Sequence, residues 1–145
     1  MDARRQAVVA EAMTWQGTPW RHNESVKGAH GGVDCGQFPL AVYRDLGLID
    51  NQAVDDYPID WALHRSEERY LEIVRRYCVQ VAAPSPGDLV VFKFGRTFSH
   101  GAIAINYPRI IHALRGGKSG VVLDHALHAE LKRRERVFYS YFKRG

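Results

Sequence analysis

The sequence predicts an α+β domain in which helices come first and the strands of an antiparallel sheet follow. Apolar residues recur at helical spacing before the segment Pro84-Ser85-Pro86-Gly87-Asp88, and short runs rich in Val, Ile, Phe and Tyr come after it. The chain has 145 residues, of which 46% are apolar, so it can bury one sizeable core. We therefore assign residues 1–145 to a single domain.

Three helices are expected in the first half of the chain. The first covers residues 3–15. The second begins at Cys35 and ends near Gly47, because apolar residues between these positions keep helical spacing and glycine commonly terminates helices. The third covers residues 59–77 and follows an acidic turn over residues 50–60.

The second half of the chain predicts about five strands. Each run is short, rich in β-branched or aromatic residues, and bounded by Gly, Asn or Pro. The runs cover residues 89–94, 100–105, 109–114, 121–123 and 137–142. A hairpin centred on Asn106, a residue type that tolerates turn conformations, places His100 and His112 directly opposite each other.

Cys35 is the candidate nucleophile. A lone cysteine is more often a small buried hydrophobe, and Cys78, with no Gly or His beside it, is interpreted that way. Cys35 has glycines nearby on both sides, which leave its sulfur uncrowded. Asp34 is a typical N-cap residue and Gln37 completes a capping box, so Cys35 opens a helix. A helix N-terminus and a nearby imidazole lower a thiol pKa to roughly 3.5–7.5, so we expect a thiolate.

Five segments resemble, in order and spacing, the successive motifs of the NlpC/P60 cysteine peptidases. They are Gly17-Thr18-Pro19-Trp20-Arg21-His22, Gly32-Val33-Asp34-Cys35-Gly36, Pro86-Gly87-Asp88-Leu89-Val90-Val91-Phe92, Ser99-His100-Gly101-Ala102-Ile103-Ala104-Ile105 and Ile111-His112-Ala113. The resemblance covers roughly residues 14–114. It implies a papain-like core in which the nucleophile opens a helix packed on the sheet. Within the family, the first two segments look most like the small peptidases coded among phage and gene-transfer-agent tail proteins.

The resemblance implies that Cys35, His100 and His112 are the catalytic residues. A histidine on a strand is more often structural, but the preceding cysteine and the family spacing favour catalysis here. His100 is expected to pair with the thiol and pass its proton to the leaving amine, while His112, twelve residues further on, orients the His100 ring. The Cys35 backbone N–H is expected to stabilise the oxyanion.

The expected substrate-binding and oxyanion region contains Trp20, His22, Asp34, Gly36 and Ser99. Trp20 stands where the family usually has a tyrosine that is thought to help the oxyanion hole, and an indole can donate only from its ring nitrogen. Asp34 is interpreted as a cap rather than as a catalytic acid. Pro39 cannot donate a backbone hydrogen bond, so the Cys35 helix is expected to start late or to kink.

By the resemblance, the substrate is the stem peptide of peptidoglycan, and the bond most often cut joins D-γ-glutamate to diaminopimelate or lysine. The residues alone indicate only a hydrolase that uses Cys and His. Two alternatives stay open: an amidase or acyltransferase with the same catalytic unit, and a non-catalytic tail or adaptor module. Phage-like tail proteins are the expected protein partners.

Composition and charge argue against several other classes. The formal net charge of +4 comes partly from basic residues near the C-terminus, but glutamates interrupt them and no motif for a specific nucleic acid is present. His125 and His128 lack a Cys or a third His at zinc spacing, so neither a metal nor a cofactor is expected. No segment resembles a signal peptide or a membrane span, so we expect synthesis in the cytoplasm and delivery to the cell wall or periplasm by a virion tail or another export route.

Overall fold

The computed structural model describes residues 2–22, 24–51, 68–115 and 120–143. The helices are α1 (Ala3–Met13), α2 (Gln37–Asp45) and α3 (Arg69–Tyr77), and a 3₁₀ helix covers Ala129–Arg133. The strands are β1 (Ser25–Val26), β2 (Gly32–Val33), β3 (Val79–Val81), β4 (Leu89–Phe94), β5 (Thr97–Asn106), β6 (Arg109–Leu114), β7 (Gly120–His125) and β8 (Arg136–Ser140). Within these ranges, no helix is long and apolar enough to cross a bilayer.

The main sheet confirms the α+β prediction. Its strand order is β3-β8-β4-β5-β6-β7, and each neighbouring pair is antiparallel. In the part of the chain that the structure describes, this sheet has six strands, so the prediction of about five is one strand short. The additional strand, β3, has only three residues, too few to show an alternating pattern. Strands β1 and β2, with two residues each, form a separate small sheet that was not predicted either.

The longer elements lie close to their expected positions. Strands β4 and β6 begin and end as predicted, β5 and β7 extend further at both ends, and β8 is shifted towards the N-terminus. Helix α1 ends at Met13 because the chain then turns to Gly17, whose φ is +86° and whose N–H bonds to the Val121 carbonyl at 3.2 Å. Helix α3 ends at Tyr77 as expected. The rest of the predicted third helix and most of the acidic turn fall within residues 52–67, outside the described residues.

Both faces of the main sheet are apolar, and a different part of the chain packs on each. The helices pack on one face, where Ile103 and Ile111 belong to the main core. The 3₁₀ helix packs on the other face, where Leu131 clusters with Ala102 and Ile110. The predicted packing of helices on the sheet is confirmed. The 3₁₀ helix that covers the second face shows no periodic pattern in the sequence, because it has five residues and only Leu131 is buried.

Alternation along β5 and β6 determines which way the candidate histidines point. Gly101 faces the helices, because a Cβ atom there would meet the Tyr70 hydroxyl at 2.5 Å and the Pro39 Cγ at 2.9 Å. His100 precedes Gly101 and therefore projects to the opposite face. His112 lies between two residues of the main core and projects to that same face. The two histidines thus share the face that the 3₁₀ helix covers.

The hairpin between β5 and β6 is not centred where the sequence predicts. Its turn residues are Tyr107-Pro108 rather than a pair centred on Asn106, and His112 lies opposite Ala102. The predicted direct pairing of His100 with His112 is therefore wrong, because the turn comes later in the chain. The two histidines are instead diagonal neighbours on one face, which long side chains can still bridge.

A buried ion pair fixes α1 to the start of β4. The Arg5 Nη1 donates to Asp88 Oδ1 at 2.8 Å and to the Pro86 carbonyl at 2.9 Å, while Nη2 donates to Ser140 Oγ at 3.3 Å. The Asp88 side chain is 1% exposed and that of Arg5 is 11% exposed. Residues from both halves of the chain therefore meet at one charged, hydrogen-bonded centre.

Candidate active site

Cys35 lies just before α2. Asp34 Oδ1 accepts from the backbone N–H groups of Gly36 and Gln37, at 3.1 and 2.9 Å, so Asp34 caps the helix as predicted. The reciprocal contact of a capping box does not form, because Gln37 Oε1 is buried without a hydrogen-bond partner among the described residues. The regular helix starts late, at Gln37, and Pro39 lies in its first turn, where a missing N–H loses no helical hydrogen bond.

The thiol of Cys35 faces a bulge in β5. The ladder pairs Phe92 with His100 and then shifts by one residue, so Ser99 is an extra residue in β5. The Ser99 carbonyl accepts a hydrogen bond from the Cys35 Sγ–H, with a sulfur–oxygen distance of 4.0 Å. The bulge therefore directs a main-chain acceptor towards the Cys35 thiol.

The surroundings of Cys35 favour its neutral form. The pKa of the thiol is raised from 9.0 to about 12, mainly by burial and, to a smaller extent, by the Asp34 carboxylate. The backbone N–H groups of Gly36 and Cys35 and the Arg115 guanidinium lower the pKa, but by less. The predicted low-pKa thiolate is therefore wrong. The N–H groups at the helix N-terminus lower the pKa of the thiol, as expected, but desolvation raises it by more.

His100 and His112 are hydrogen-bonded, as the sequence predicts. Nε2 of His100 lies 2.7 Å from Nδ1 of His112, and the two rings are nearly perpendicular. The other nitrogen of His112, Nε2, lies 2.8 Å from Asp124 Oδ2 on β7. Asp124 was not predicted as a site residue. Its signal is the repeated spacing, because Asp124 follows His112 by the same 12 residues that separate His112 from His100.

The carboxylate at the end of this series determines where the protons lie. An ionised carboxylate only accepts, so His112 carries its proton on Nε2 and offers a lone pair at Nδ1. His100 then donates from Nε2, which leaves a lone pair on its Nδ1. Burial lowers the pKa of both rings, and His112 and the Arg134 cation lower that of His100 further. The Asp124 contact raises the pKa of His112 but does not offset burial, so both rings are neutral.

An aromatic stack holds the His100 ring. Phe94 stacks on the imidazole with ring centroids 4.6 Å apart and an interplanar angle of 19°. The Arg134 guanidinium carbon lies 3.6 Å from the centre of the same Phe94 ring. Two planar groups this close to one ring cannot share a face, so Phe94 lies between them. Arg134 is itself fixed by the Lys93 carbonyl, at 3.2 Å, and by the Glu130 carboxylate.

Cys35 and His100 line one cleft of about 470 Å³. Of the predicted substrate region, the cleft is lined by Trp20, His22, Asp34 and Ser99. Gly36 instead contributes its N–H to the Asp34 cap, and His112 is fully buried behind His100. Within the described ranges, the Cys35 thiol donates to the Ser99 carbonyl and not to the His100 ring. The Cys35 thiol and the His100 imidazole therefore share a cleft as two neutral groups.

One wall of the cleft combines an indole with a guanidinium. A parallel bridge between Trp20 and Val33 places Trp20 near the Cys35 segment. The Arg115 guanidinium carbon lies 5.0 Å from the centre of the indole, a cation–π distance, and the His22 ring stacks on Trp20 with centroids 6.2 Å apart. Arg115 was not predicted as a site residue, because nothing in the pattern after β6 distinguishes it from a surface arginine.

Comparison with known proteins agrees with this architecture. The chain matches the model of the NlpC/P60 family over residues 12–135. No curated protein matches it. It is similar to the solved structure of the NlpC/p60 domain of peptidoglycan hydrolase SagA, with a TM-score of 0.62 and 21% identity, over 92% of this chain and 96% of that chain.

A second solved structure is also similar. RipD from Mycobacterium tuberculosis, described as a non-catalytic NlpC/p60 domain protein adapted to peptidoglycan binding, has a TM-score of 0.60 and 12% identity, over 97% of this chain and 98% of that chain. At these identities the two structures are evidence for the fold alone. The family match spans most of the chain and confirms the family expected from the sequence motifs. The protein belongs to the NlpC/P60 family.

Proposed function

We propose that this protein is a cysteine peptidase that hydrolyses peptide bonds in peptidoglycan stem peptides. The observation that carries the proposal is the hydrogen-bonded series from Asp124 through His112 to His100, which ends in the cleft that also contains Cys35. This series orients a neutral imidazole whose remaining nitrogen can accept a proton. Family membership supports the substrate class.

The neutral state of both groups supports a mechanism in which proton transfer accompanies attack. As the Cys35 sulfur bonds to the carbonyl carbon of the scissile amide, its proton passes to Nδ1 of His100. His112 stabilises the resulting imidazolium by accepting its Nε2–H, and Asp124 holds His112 in the required tautomer. His100 then protonates the amine, the carbon–nitrogen bond breaks, and Cys35 keeps the acyl group as a thioester.

Water completes the cycle. His100 accepts a proton from water as the water oxygen attacks the thioester carbonyl, and that proton returns to the Cys35 sulfur as the carbon–sulfur bond breaks. The Cys35 backbone N–H is the proposed donor to the oxyanion in both steps, and it lies close enough to the sulfur to lower the pKa of the thiol. The products are a peptide with a new carboxylate and a peptide with a new amino terminus.

The bond and the delivery route are parts of the same proposal. We assign the bond between D-γ-glutamate and diaminopimelate or lysine, on the basis of the family motifs. We assign a phage-like tail as the carrier, because the segments around Trp20 and Cys35 look most like those of small tail-associated peptidases. In this account the protein is made in the cytoplasm and reaches the wall or periplasm with a virion tail or by another export route.

Peptidoglycan binding without turnover is the second candidate function. The observation that favours it is the neutral Cys35 thiol, which is hydrogen-bonded to Ser99 rather than to His100. RipD, which has a similar fold, is described as a non-catalytic protein adapted to peptidoglycan binding. An amidase or acyltransferase is the third candidate, because the same Cys and His unit serves those reactions.

Mass spectrometry of purified muropeptides after incubation with the protein separates the three candidates. The peptidase produces a new amino terminus on diaminopimelate or lysine, Cys35→Ala abolishes it, and Cys78→Ala, a change at a buried cysteine outside the cleft, retains it. Release of whole stem peptides from muramic acid identifies an amidase. Co-sedimentation with sacculi and no cleavage contradicts the peptidase and supports the binding module.

A further inference from the structure

Arg115 gives the cleft a positive charge that no carboxylate in the described part of the chain neutralises. The other charged groups of the cleft wall are engaged, because Asp34 caps α2 and Glu130 binds Arg134. Arg115 forms no ion pair with any described residue. The part of the cleft next to the Arg115 guanidinium therefore favours an anionic group in whatever binds there.

Arg115 lines the same cleft as Cys35. The Arg115 guanidinium packs over the indole of Trp20, with 5.0 Å from its carbon to the ring centre, so the long side chain has a support inside the cleft. Its charge also lowers the pKa of the Cys35 thiol, so it lies within electrostatic reach of the sulfur. A guanidinium presents a planar fork that can bind a carboxylate with two parallel hydrogen bonds.

We infer that Arg115 binds a carboxylate of the substrate on the acyl side of the scissile bond, the α-carboxylate of a γ-linked glutamyl residue. This inference rests on the proposed peptidase function. In a γ-glutamyl peptide, the side-chain carboxyl forms the scissile amide and the α-carboxylate stays free, four bonds and about 5 Å from the carbon that Cys35 attacks. Arg115 and Cys35 line the same cleft, so a substrate with its γ-carbonyl at Cys35 can extend its α-carboxylate along the cleft wall towards Arg115. Arg115 thereby selects peptides with D-glutamate over those in which this carboxylate is amidated to D-isoglutamine.

Paired synthetic stem peptides test the inference. One peptide carries γ-linked D-glutamate before diaminopimelate, and the other carries D-isoglutamine at that position. The wild-type protein should cleave the acidic peptide with a kcat/KM higher by roughly tenfold or more, as expected for a charge-assisted hydrogen-bonded pair. Arg115→Met should remove this preference by lowering kcat/KM for the acidic peptide alone, and Arg115→Lys should keep part of it. A third peptide, amidated on the diaminopimelate carboxylate, should be cleaved like the first if the glutamyl carboxylate is the ligand.

Matched controls separate the recognition of the carboxylate from effects on protein folding and on peptide cleavage. Arg109→Met, a change at an exposed arginine at the start of β6, should keep the wild-type preference. Calorimetric binding to Cys35→Ala protein measures recognition without turnover. If no peptide is cleaved but this variant binds the acidic peptide more tightly, and Arg115→Met removes the difference, the subsite stands and the peptidase proposal fails. Equal kcat/KM and equal binding for the acidic and D-isoglutamine peptides, or a preference that survives Arg115→Met, would overturn the inference.

Discussion

The Asp124 carboxylate accepts a hydrogen bond from Nε2 of His112 at 2.8 Å, and this contact fixes the proton positions of two histidines. Asp124 lies on β7, the edge strand next to β6, and its side chain is 34% exposed. The proton-accepting nitrogen of His100 in the cleft therefore depends on a carboxylate two side chains away. In the proposed mechanism Asp124 acts through His112, as a positioning residue.

Asp124→Asn should lower kcat for stem-peptide cleavage by roughly tenfold or more. An asparagine amide can donate to His112 Nε2, which favours the opposite tautomer of both rings and leaves Nδ1 of His100 protonated. Asp124→Glu, which keeps an acceptor, should retain more activity. Steady-state kinetics across pH distinguishes the two variants. A wild-type kcat in Asp124→Asn would show that the carboxylate does not position the base.

Iodoacetamide should alkylate Cys35 slowly at about pH 7 and increasingly fast up to about pH 10. Burial raises the pKa of the thiol to about 12, and only the thiolate reacts, so the rate should grow about tenfold per pH unit. The raised pKa also means that the native state keeps a proton that the unfolded chain loses above about pH 8.5, so this group lowers stability as the pH rises. Peptide mapping separates Cys35 from Cys78. A rate that reaches a plateau near pH 6 would contradict the neutral thiol.

Arg134→Met should move the acid limb of the kcat/KM profile to higher pH. Burial is the largest cause of the lowered His100 pKa, followed by His112 and the Arg134 cation, so removing the cation raises the pKa. The base is then protonated, and lost, at a higher pH. Methionine keeps the packing on Phe94, and the exposed neighbour Arg133→Met is the control. NMR titration of the His100 ring should show the same displacement, and an unchanged acid limb would argue against this electrostatic effect.

Arg5→Met should lower the free energy of unfolding by about 3–5 kcal/mol, because it leaves the buried Asp88 carboxylate without its cation. Arg4→Met removes an exposed arginine from the same helix and should change the free energy of unfolding by no more than about 1 kcal/mol. Urea denaturation of both variants measures the difference. Similar values for the two would mean that the Arg5 contact does not hold α1 to the sheet.

Much of the fold could be predicted from the sequence because its signals are local. Strands β4 and β6 have strongly apolar runs between clear turn residues, and their bounds match the prediction. The order of helices and strands likewise follows from the change in period after residue 84. Strand β3 and the 3₁₀ helix were missed because three and five residues are too few to show a period, and they are held by tertiary pairing and packing. The hairpin register was missed because the turn lies at Tyr107-Pro108 and not at Asn106, which displaces every pair along the two strands.

Some residues of the candidate site could likewise be predicted from the sequence, and others could not. Cys35, its Asp34 cap and His100 belong to short segments with recognisable chemistry, and the structure brings Cys35 and His100 into one cleft. Arg115 comes from a part of the chain where neither the residue type nor its neighbours indicate a site, and the signal of Asp124 is only its spacing of 12 residues from His112. The neutral state of the thiol could not be predicted, because desolvation depends on packing from elements that are distant in the sequence.

Intact-mass analysis of the protein, quenched in acid during turnover of a γ-glutamyl stem peptide, tests the central claim most directly. The account predicts a mass increase equal to the acyl part of the peptide, located at Cys35 by proteolytic mapping and absent from Cys35→Ala. It also predicts that His100→Ala prevents the adduct from forming at the wild-type rate. Cleavage of the peptide by wild-type protein with no adduct on Cys35, together with activity in Cys35→Ala, would contradict Cys35 as the nucleophile.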